Sequence, residues 1–460
     1  MSQGDWVIKK IRWRQLLSEK VFLILYDMQR LYFSDIQGNI AYNLHMKKNI
    51  WPSIVTIGLA GQIAWTVENM YFNVFLYNTI SQDPGYIALM VALSAITATF
   101  TTLFMGTFSD RIGRRKPFMT WGYIIWALTV ALFAFVSPSS LKGVSIAALT
   151  VVILDCVMTF FGSTANDAVF NAYVTESVEE EKRTKVESVV QIMPMAAMLL
   201  VFGVLDGFTQ RGEWKAFFLI TAAIMLMAGI LSFFFIKDDR REKRDKGSFI
   251  SNLIYGFLPS TVKENKSLYI SLLAFGINAI GMQVFYPYLI IYIQNYLGFD
   301  NYVVLLGIVL VLSSVLCVVL GKVVDKRGRV RSSFPAVILM AIGMILMFFA
   351  RSFIVTTISG VIMMTGYLIS TSVLSSLVRD YTPKGKEGEI QGVRMIFQVM
   401  IPMIVGPFLG SLVIKGSSLT YTELGVVKSV PTPRVFLLSF LLTLLSLIPL
   451  VSLYRREKRS

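Results

Sequence analysis

The sequence contains little of what soluble proteins, metal sites and hydrolytic enzymes are built from. Only 15% of its 460 residues are charged, whereas soluble domains contain about a quarter. It has a single histidine, His45, and two cysteines, Cys156 and Cys317. These numbers argue against a zinc site and a structural disulfide. No phosphate-binding G-x-x-x-x-G-K-[ST] motif is present, and no His/Ser/Asp set indicates hydrolysis. We therefore expect no enzyme activity, no metal and no cofactor.

Apolar residues are abundant instead. They make up 55% of the chain, and the mean hydropathy is +0.64. A helix needs roughly 20 apolar residues to cross a bilayer. Twelve such runs predict an all-α integral membrane protein with twelve transmembrane helices, at 51–79, 85–108, 117–137, 144–172, 186–208, 214–236, 267–297, 302–324, 333–350, 353–378, 392–414 and 434–454.

The positive charges follow the loops of this topology. With both termini placed inside, 35 of the 43 Lys and Arg residues lie in cytoplasmic segments and seven in outer loops. This bias is the positive-inside pattern. It predicts cytoplasmic termini in a plasma or inner cell membrane. The net charge of +15 is thereby attributed to topology and not to nucleic acid.

The sequence repeats itself once. Gly106-Thr-Phe-Ser-Asp-Arg-Ile-Gly-Arg-Arg115 and Gly321-Lys-Val-Val-Asp-Lys-Arg-Gly-Arg329 both fit G-x-x-x-D-[RK]-x-G-R after the second helix of a six-helix half. The basic stretch 237–266 separates the halves. The predicted organisation is a basic N-terminal extension (1–50), a first half (51–236), a cytoplasmic linker (237–266), a second half (267–454) and a basic tail (455–460).

The repeated loop resembles the signature loop of the major facilitator superfamily, and the six-plus-six layout matches that family across 51–454. The resemblance implies alternating access, with these loops latching the halves together in the outward-facing state. We also expect Gly106 to permit close helix approach. The signature positions are Gly106, Asp110, Arg111, Gly113 and Arg114, and Gly321, Asp325, Lys326, Gly328 and Arg329.

Three further segments are similar to the glycoside–pentoside–hexuronide branch of that family: 164–176, Asp380-Tyr-Thr-Pro383 and Gln391-Gly-Val-Arg-Met395. This likeness implies transport of a sugar with a proton or sodium ion. Sodium-coupled members of the branch carry acidic residues in the second helix. Residues 84–109 contain no acid here, which favours protons.

Ionisable residues inside membrane helices are costly and so point to function. Glu68 in the first helix and Asp155 in the fourth are the candidate coupling residues, because an isolated carboxylate in hydrocarbon tends to take up a proton. A structural partner is the alternative for each. Asp167 and Asp206 lie nearer helix ends, and Asp167 is expected to bond the signature loops.

Polar and aromatic residues at helical spacing predict a substrate cavity. Its candidates are Gln62, Trp65, Asn69 and Asn73 in the first helix, Gln283 and Tyr286 in the seventh, and Arg394 and Gln398 in the eleventh. Amides suit hydroxyl-rich ligands because they both donate and accept hydrogen bonds. Tyr288, Tyr292 and Tyr296 are expected in the interfacial aromatic belt.

These features predict a monomeric, cation-coupled importer of a sugar-like small molecule. Alternatives within the superfamily are a drug or lipid exporter and a facilitative uniporter. Exporters often carry a G-P-x-x-G motif in the fifth helix, but here Gly406-Pro-Phe-Leu-Gly410 lies in the eleventh. Outside the class of transporters, the alternative is a channel or a receptor-like sensor.

Overall fold

The computed structural model describes residues 50–139, 143–177, 189–190, 193–236, 255–383, 387–416, 420–423 and 426–458. The predicted N-terminal extension up to residue 49, the linker up to residue 254 and the last two residues of the tail lie outside these ranges. The chain divides into the units Met1–Ser53 and Ile54–Ser460, and the second unit contains nearly all described residues.

The first half forms six membrane helices, which we number α1 to α6. The need to satisfy every backbone group inside a bilayer makes these segments helical, and the thickness of the hydrocarbon core sets their length at about 20 residues or more. α1 is a helical run of four segments, Ile50–Thr66, Val67–Phe72, Asn73–Phe75 and Leu76–Ile80. The others are α2 (Pro84–Ile112), α3 (Lys116–Leu132, with a 3₁₀ turn Phe133–Phe135), α4 (Val144–Gly162, Ser163–Phe170 and Asn171–Ser177), α5 (Met193–Gln210) and α6 (Trp214–Phe235).

The second half follows the same plan after a short helix, Pro259–Glu264. Its membrane helices are α7 (Lys266–Gln283, a 3₁₀ turn Tyr286–Tyr288, Leu289–Ile291 and Tyr292–Tyr296), α8 (Tyr302–Arg327), α9 (Arg329–Phe349), α10 (Phe353–Asp380), α11 (Glu387–Met395, Ile396–Met400 and Ile401–Lys415) and α12 (Arg434–Leu445 and Leu447–Glu457).

Among the described residues, eleven helices are long and apolar enough to cross a membrane, and they correspond to α2 through α12. The remaining predicted span is α1, which is helical from Ile50 to Ile80. Glu68, Asn69 and Asn73 make its middle polar. A polar stripe of this kind is expected on a helix that faces a cavity instead of lipid.

Within the described residues, five of the helices contain π-helical segments, namely Val67–Phe72 and Leu76–Ile80 in α1, Ser163–Phe170 in α4, Val201–Leu205 in α5, Tyr292–Tyr296 in α7 and Ile396–Met400 in α11. π-Helical turns are rare and frequently occur at functional sites. Each interrupts the regular backbone ladder and shifts the following residues around the helix axis. Glu68, Asp167 and Gln398 lie within such segments.

Two features were not predicted from the sequence. Thr420–Glu423 pairs with Val426–Ser429 as an antiparallel hairpin, with Thr420 opposite Ser429, between α11 and α12. α12 also continues to Glu457, into the segment expected to be the basic tail.

The two halves contact each other at the end of the bundle opposite the repeated loops, which we call the distal end. Here Lys415 of α11 forms an ion pair with Asp83 before α2, at 2.7 Å between Nζ and Oδ1. The Tyr77 hydroxyl donates to the carbonyl of Ser429 at 2.7 Å. The charge pattern of the loops predicts that the distal end is the outer one.

Candidate functional site

Glu68 is buried, with 7% of its surface exposed, in the π-helical part of α1. Its Oε1 accepts hydrogen bonds from the hydroxyl of Ser94 on α2, at 2.6 Å, and from that of Thr159 on α4, at 3.0 Å. Its Oε2 is buried and has no hydrogen-bond partner among the described residues. Three helices therefore meet at one carboxyl group, and only one of its oxygens has hydrogen-bond partners within the described ranges.

Asp155 lies in the same place. It is 1% exposed on α4, one helical turn before Thr159, and it lies near Ser94 and Glu68. Its Oδ1 is likewise buried with no hydrogen-bond partner in the described part of the chain. The structure thus brings the two candidate coupling residues together, and we call Glu68 and Asp155 the acid pair.

Ser94 and Thr159 were not identified from the sequence as members of this site. The two hydroxyl oxygens are 2.9 Å apart and are both buried. The sequence offered one weak signal, since the polar residues of α2 are mainly hydroxyl-bearing. Nothing in the spacing distinguishes Ser94 from the threonines that follow it.

The polar stripe of α1 presents one face that is partly open. Gln62, Trp65 and Asn69 are half-exposed, three or four residues apart, whereas Asn73 is buried. Asn69 and Asn73 each donate a hydrogen bond to the carbonyl four residues earlier, both at 2.8 Å. The Trp65 ring packs against Trp126 of α3, with centroids 5.0 Å apart. This packing fixes an aromatic surface one turn from Glu68.

On α7 the cavity candidates Gln283 and Tyr286 are half-exposed. The belt prediction is wrong for Tyr288 and Tyr292, each 1% exposed. The Tyr288 hydroxyl is held between helices, donating to the carbonyls of Pro84 at 3.1 Å and of Pro407 at 2.9 Å. A position towards the outer end of α7 suggested an interfacial ring, but packing against the other half buries Tyr288. Tyr296 remains half-exposed.

Arg394 and Gln398 lie one turn apart on α11, and both are half-buried. Arg394 Nε and Gln398 Nε2 are buried atoms with no hydrogen-bond partner among the described residues. All residues of the π-helical segment Ile396–Met400 are partly exposed. This pattern is expected of a helix that borders a cavity, and it leaves two donors available to a ligand.

The repeated loops hold two glycines in unusual conformations. Gly113 ends α2 with φ of 70°, donating to the carbonyl of Ser109, and Gly328 precedes α9 with φ of 83°. Only glycine adopts such values readily. Arg111 is exposed and Arg114 is partly exposed, and Arg329 forms an ion pair with Asp380. The side chains of Asp110 and of residues 321–327, which include Gly321, Asp325 and Lys326, lie outside the described part of the structure.

Gly106 does not make the close helix contact that we expected. A Cβ atom placed there would meet no described atom within 4 Å. Asp167 also differs from expectation, since its described hydrogen bonds come from Ser163 at 3.1 Å and Asn166 at 3.3 Å on its own helix, not from the loops.

Comparison with known proteins agrees with this architecture. The family model of the Major Facilitator Superfamily matches residues 54–407. No curated protein sequence matches the chain significantly. Among solved structures, a bacterial homolog of the human lysosomal transporter Spinster, inward-facing and unoccupied, has a TM-score of 0.68 and 11% identity, and covers 89% of this chain and 98% of its own.

Two other similar structures are the nucleoside transporter NupG, with a TM-score of 0.66 and 13% identity over 87% of this chain and 98% of that one, and a D-xylose-proton symporter, with a TM-score of 0.66 and 16% identity over 87% and 96%. At these identities the likeness establishes the fold alone. Together with the family match across most of its length, it shows that this multi-pass membrane protein is not an enzyme but a transporter, and that the chain belongs to the major facilitator superfamily.

Proposed function

We propose that the protein imports a sugar or glycoside together with a proton, by alternating access, as a monomer. It would lie in the plasma or inner cell membrane with both termini in the cytoplasm, as the loop charges predict. The observation that carries the coupling proposal is the acid pair, in which Glu68 Oε2 and Asp155 Oδ1 are buried without a hydrogen-bond partner among the described residues.

Proton binding would give a function to these two oxygens, which lack a hydrogen-bond partner in the described structure. A charged carboxylate with an unsatisfied oxygen in a low-dielectric interior is costly, and binding a proton removes the charge. The hydroxyls of Ser94 and Thr159 can either donate or accept, so they can adjust to both states of Glu68. Releasing the proton when the cavity opens to the other side would couple its gradient to transport.

The surroundings suit a hydroxyl-rich substrate. Gln62 and Asn69 offer amide groups beside the Trp65 ring, and Gln283 and Tyr286 are similarly half-exposed on α7. Amides pair with hydroxyls in both directions, and aromatic faces pack against sugar rings. The known sugar specificity of the D-xylose-proton symporter, whose fold is similar, is consistent with this proposal.

Uptake by the purified full chain in proteoliposomes tests the proposal. Radiolabelled pentoses, hexoses and glycosides are supplied with an inward proton gradient, with an inward sodium gradient, or with neither. We expect one sugar class to accumulate several-fold above its external concentration with the proton gradient alone.

The other outcomes separate the alternatives. Accumulation driven only by sodium would overturn proton coupling, and equilibration without accumulation would indicate a uniporter. If no sugar enters while a lipophilic dye or a labelled lipid is transported under the same gradients, the exporter alternative is correct.

A further inference from the structure

Asp206 forms a second buried carboxyl site, far along the chain from the acid pair. It lies at the distal end of α5 and is 1% exposed. Its Oδ2 accepts a hydrogen bond from the Gln210 amide at 2.6 Å. Its Oδ1 accepts from Thr209 at 3.2 Å, from Tyr71 at 3.0 Å and from Tyr302. These partners are uncharged, and all but one are hydroxyl groups.

The donors come from both halves of the protein. Tyr71 belongs to α1, in the same half as Asp206, whereas Tyr302 is the first residue of α8 in the second half. Both tyrosines are almost completely buried. The Tyr302 hydrogen bond therefore spans the boundary between halves that must separate when the distal end opens.

The free-energy cost of breaking the hydrogen bond between Tyr302 and Asp206 depends on whether water can reach the carboxyl group. While the distal end is closed, a buried carboxyl group that loses a donor is left unsatisfied, which is expensive. When the distal end opens, water can replace Tyr302. The carboxyl group thus stabilises the closed arrangement without preventing the open one.

Tyr71 also connects this site to the acid pair. It shares the π-helical segment Val67–Phe72 with Glu68, three residues earlier. Its ring packs against Phe217 of α6, with centroids 5.2 Å apart, which holds the segment against the first half. The two carboxyl sites are consequently joined through one short piece of α1.

We propose that Asp206 is the gating residue of the distal end, and that its cross-half hydrogen bond with Tyr302 keeps that end closed. This role depends on neither the identity of the substrate nor the coupling ion. Its test can therefore succeed or fail separately from that of sugar and proton transport.

Distance measurements between spin labels can test the gate. Asn78 at the end of α1 and Asn295 at the end of α7 are exposed at the distal end. The native cysteines are first removed by Cys156→Ser and Cys317→Ser. Asn78 and Asn295 are then each replaced by a cysteine that carries the spin label. Tyr302→Phe removes the cross-half donor and keeps the ring. Because a buried carboxyl group that loses a donor is left unsatisfied, we expect the ratio of long to short label distances to rise about tenfold or more.

Tyr71→Phe is the matched control, because it removes a donor to the same oxygen from within one half. It should lower thermal stability to a similar extent without changing the distance ratio. Asp206→Asn keeps the side-chain size and should shift the distances in the same direction as Tyr302→Phe.

If Tyr302→Phe does not fold, Asp206→Asn and Tyr71→Phe are compared instead. An unchanged distance ratio in both Tyr302→Phe and Asp206→Asn would overturn the proposal. An equal shift in Tyr71→Phe would also overturn it, because the cluster would then be only structural.

Discussion

The acid pair and the Asp206 site are both buried carboxyl sites, yet they differ in how completely their oxygens are hydrogen-bonded. Glu68 and Asp155 each keep one buried oxygen without a hydrogen-bond partner among the described residues. Among the described residues, Asp206 accepts hydrogen bonds on both oxygens from four side chains. Hydrogen bonds to both oxygens hold a carboxyl group and its helices in place, whereas a buried oxygen without a partner requires an explanation, which in our proposal is proton binding. Burial alone therefore does not reveal the role of an intramembrane acid.

The strongest test of this contrast is to neutralise the acid pair. In Glu68→Gln and in Asp155→Asn we expect concentrative uptake to fall to simple equilibration, because the amide cannot gain or lose a proton. Downhill exchange of substrate should survive, since the amide resembles the protonated acid. Both are measured in proteoliposomes with the substrate identified by the uptake assay.

Asp167→Asn serves as the control, because both oxygens of Asp167 accept hydrogen bonds from its own helix. It should continue to concentrate substrate. Normal accumulation in both acid-pair variants would show that neither residue couples transport to a gradient.

The next effect concerns the repeated loop. Gly106→Val should fold normally, because a Cβ atom at Gly106 meets no described atom within 4 Å. If the loop latches the halves together in the outward-facing state, transport by Gly106→Val should nevertheless fall about tenfold or more. Asp110→Asn should behave similarly.

Gly113→Ala provides the comparison within the same loop. Its positive φ makes any side chain unfavourable by about 1 kcal/mol, so this variant should lose thermal stability. Full transport activity in both Gly106→Val and Asp110→Asn would refute the latch.

A smaller change is expected when the acid pair loses a donor. Ser94→Ala removes the shorter hydrogen bond to Glu68 Oε1 and leaves that of Thr159. We expect initial uptake rates to fall about tenfold, which is the size of effect that the loss of one buried hydrogen bond to a carboxyl group produces. Thr159→Val is the matched variant. Wild-type rates in both would indicate that these hydroxyls only fill space.

The smallest effect should come from the exposed ion pair at the distal end. In Lys415→Met the bridge to Asp83 is lost, but both side chains are nearly half-exposed, so water screens their attraction. We expect the label-distance ratio to change less than about fivefold. A shift as large as that of Tyr302→Phe would remove the distinction between the buried and the exposed cross-half contacts.

The helices were predictable because a membrane imposes a length and a composition on each of them. All twelve predicted spans are helical in the described residues, and the polar middle of α1 includes a π-helical segment. The hairpin after α11 was missed because its strands are four residues long, too short for an alternating pattern to be distinguished.

The candidate site was predicted only in part. Glu68 and Asp155 were identifiable because a charge inside an apolar helix is conspicuous in any sequence. Ser94, Thr159 and Tyr302 are uncharged and common in membrane helices, so their sequence positions carried no signal.

The sequence by itself determined the number of helices, the duplicated loops and the few intramembrane acids, because each of these is a property of one segment of chain. Tertiary structure decided which oxygens of those acids are satisfied. That depends on how each helix is rotated and on which neighbour it meets, across separations of 26 residues for Ser94 and Glu68 and 96 for Tyr302 and Asp206. The pattern along a single helix cannot specify such a contact, because it fixes the face that is polar but not the group that lies opposite.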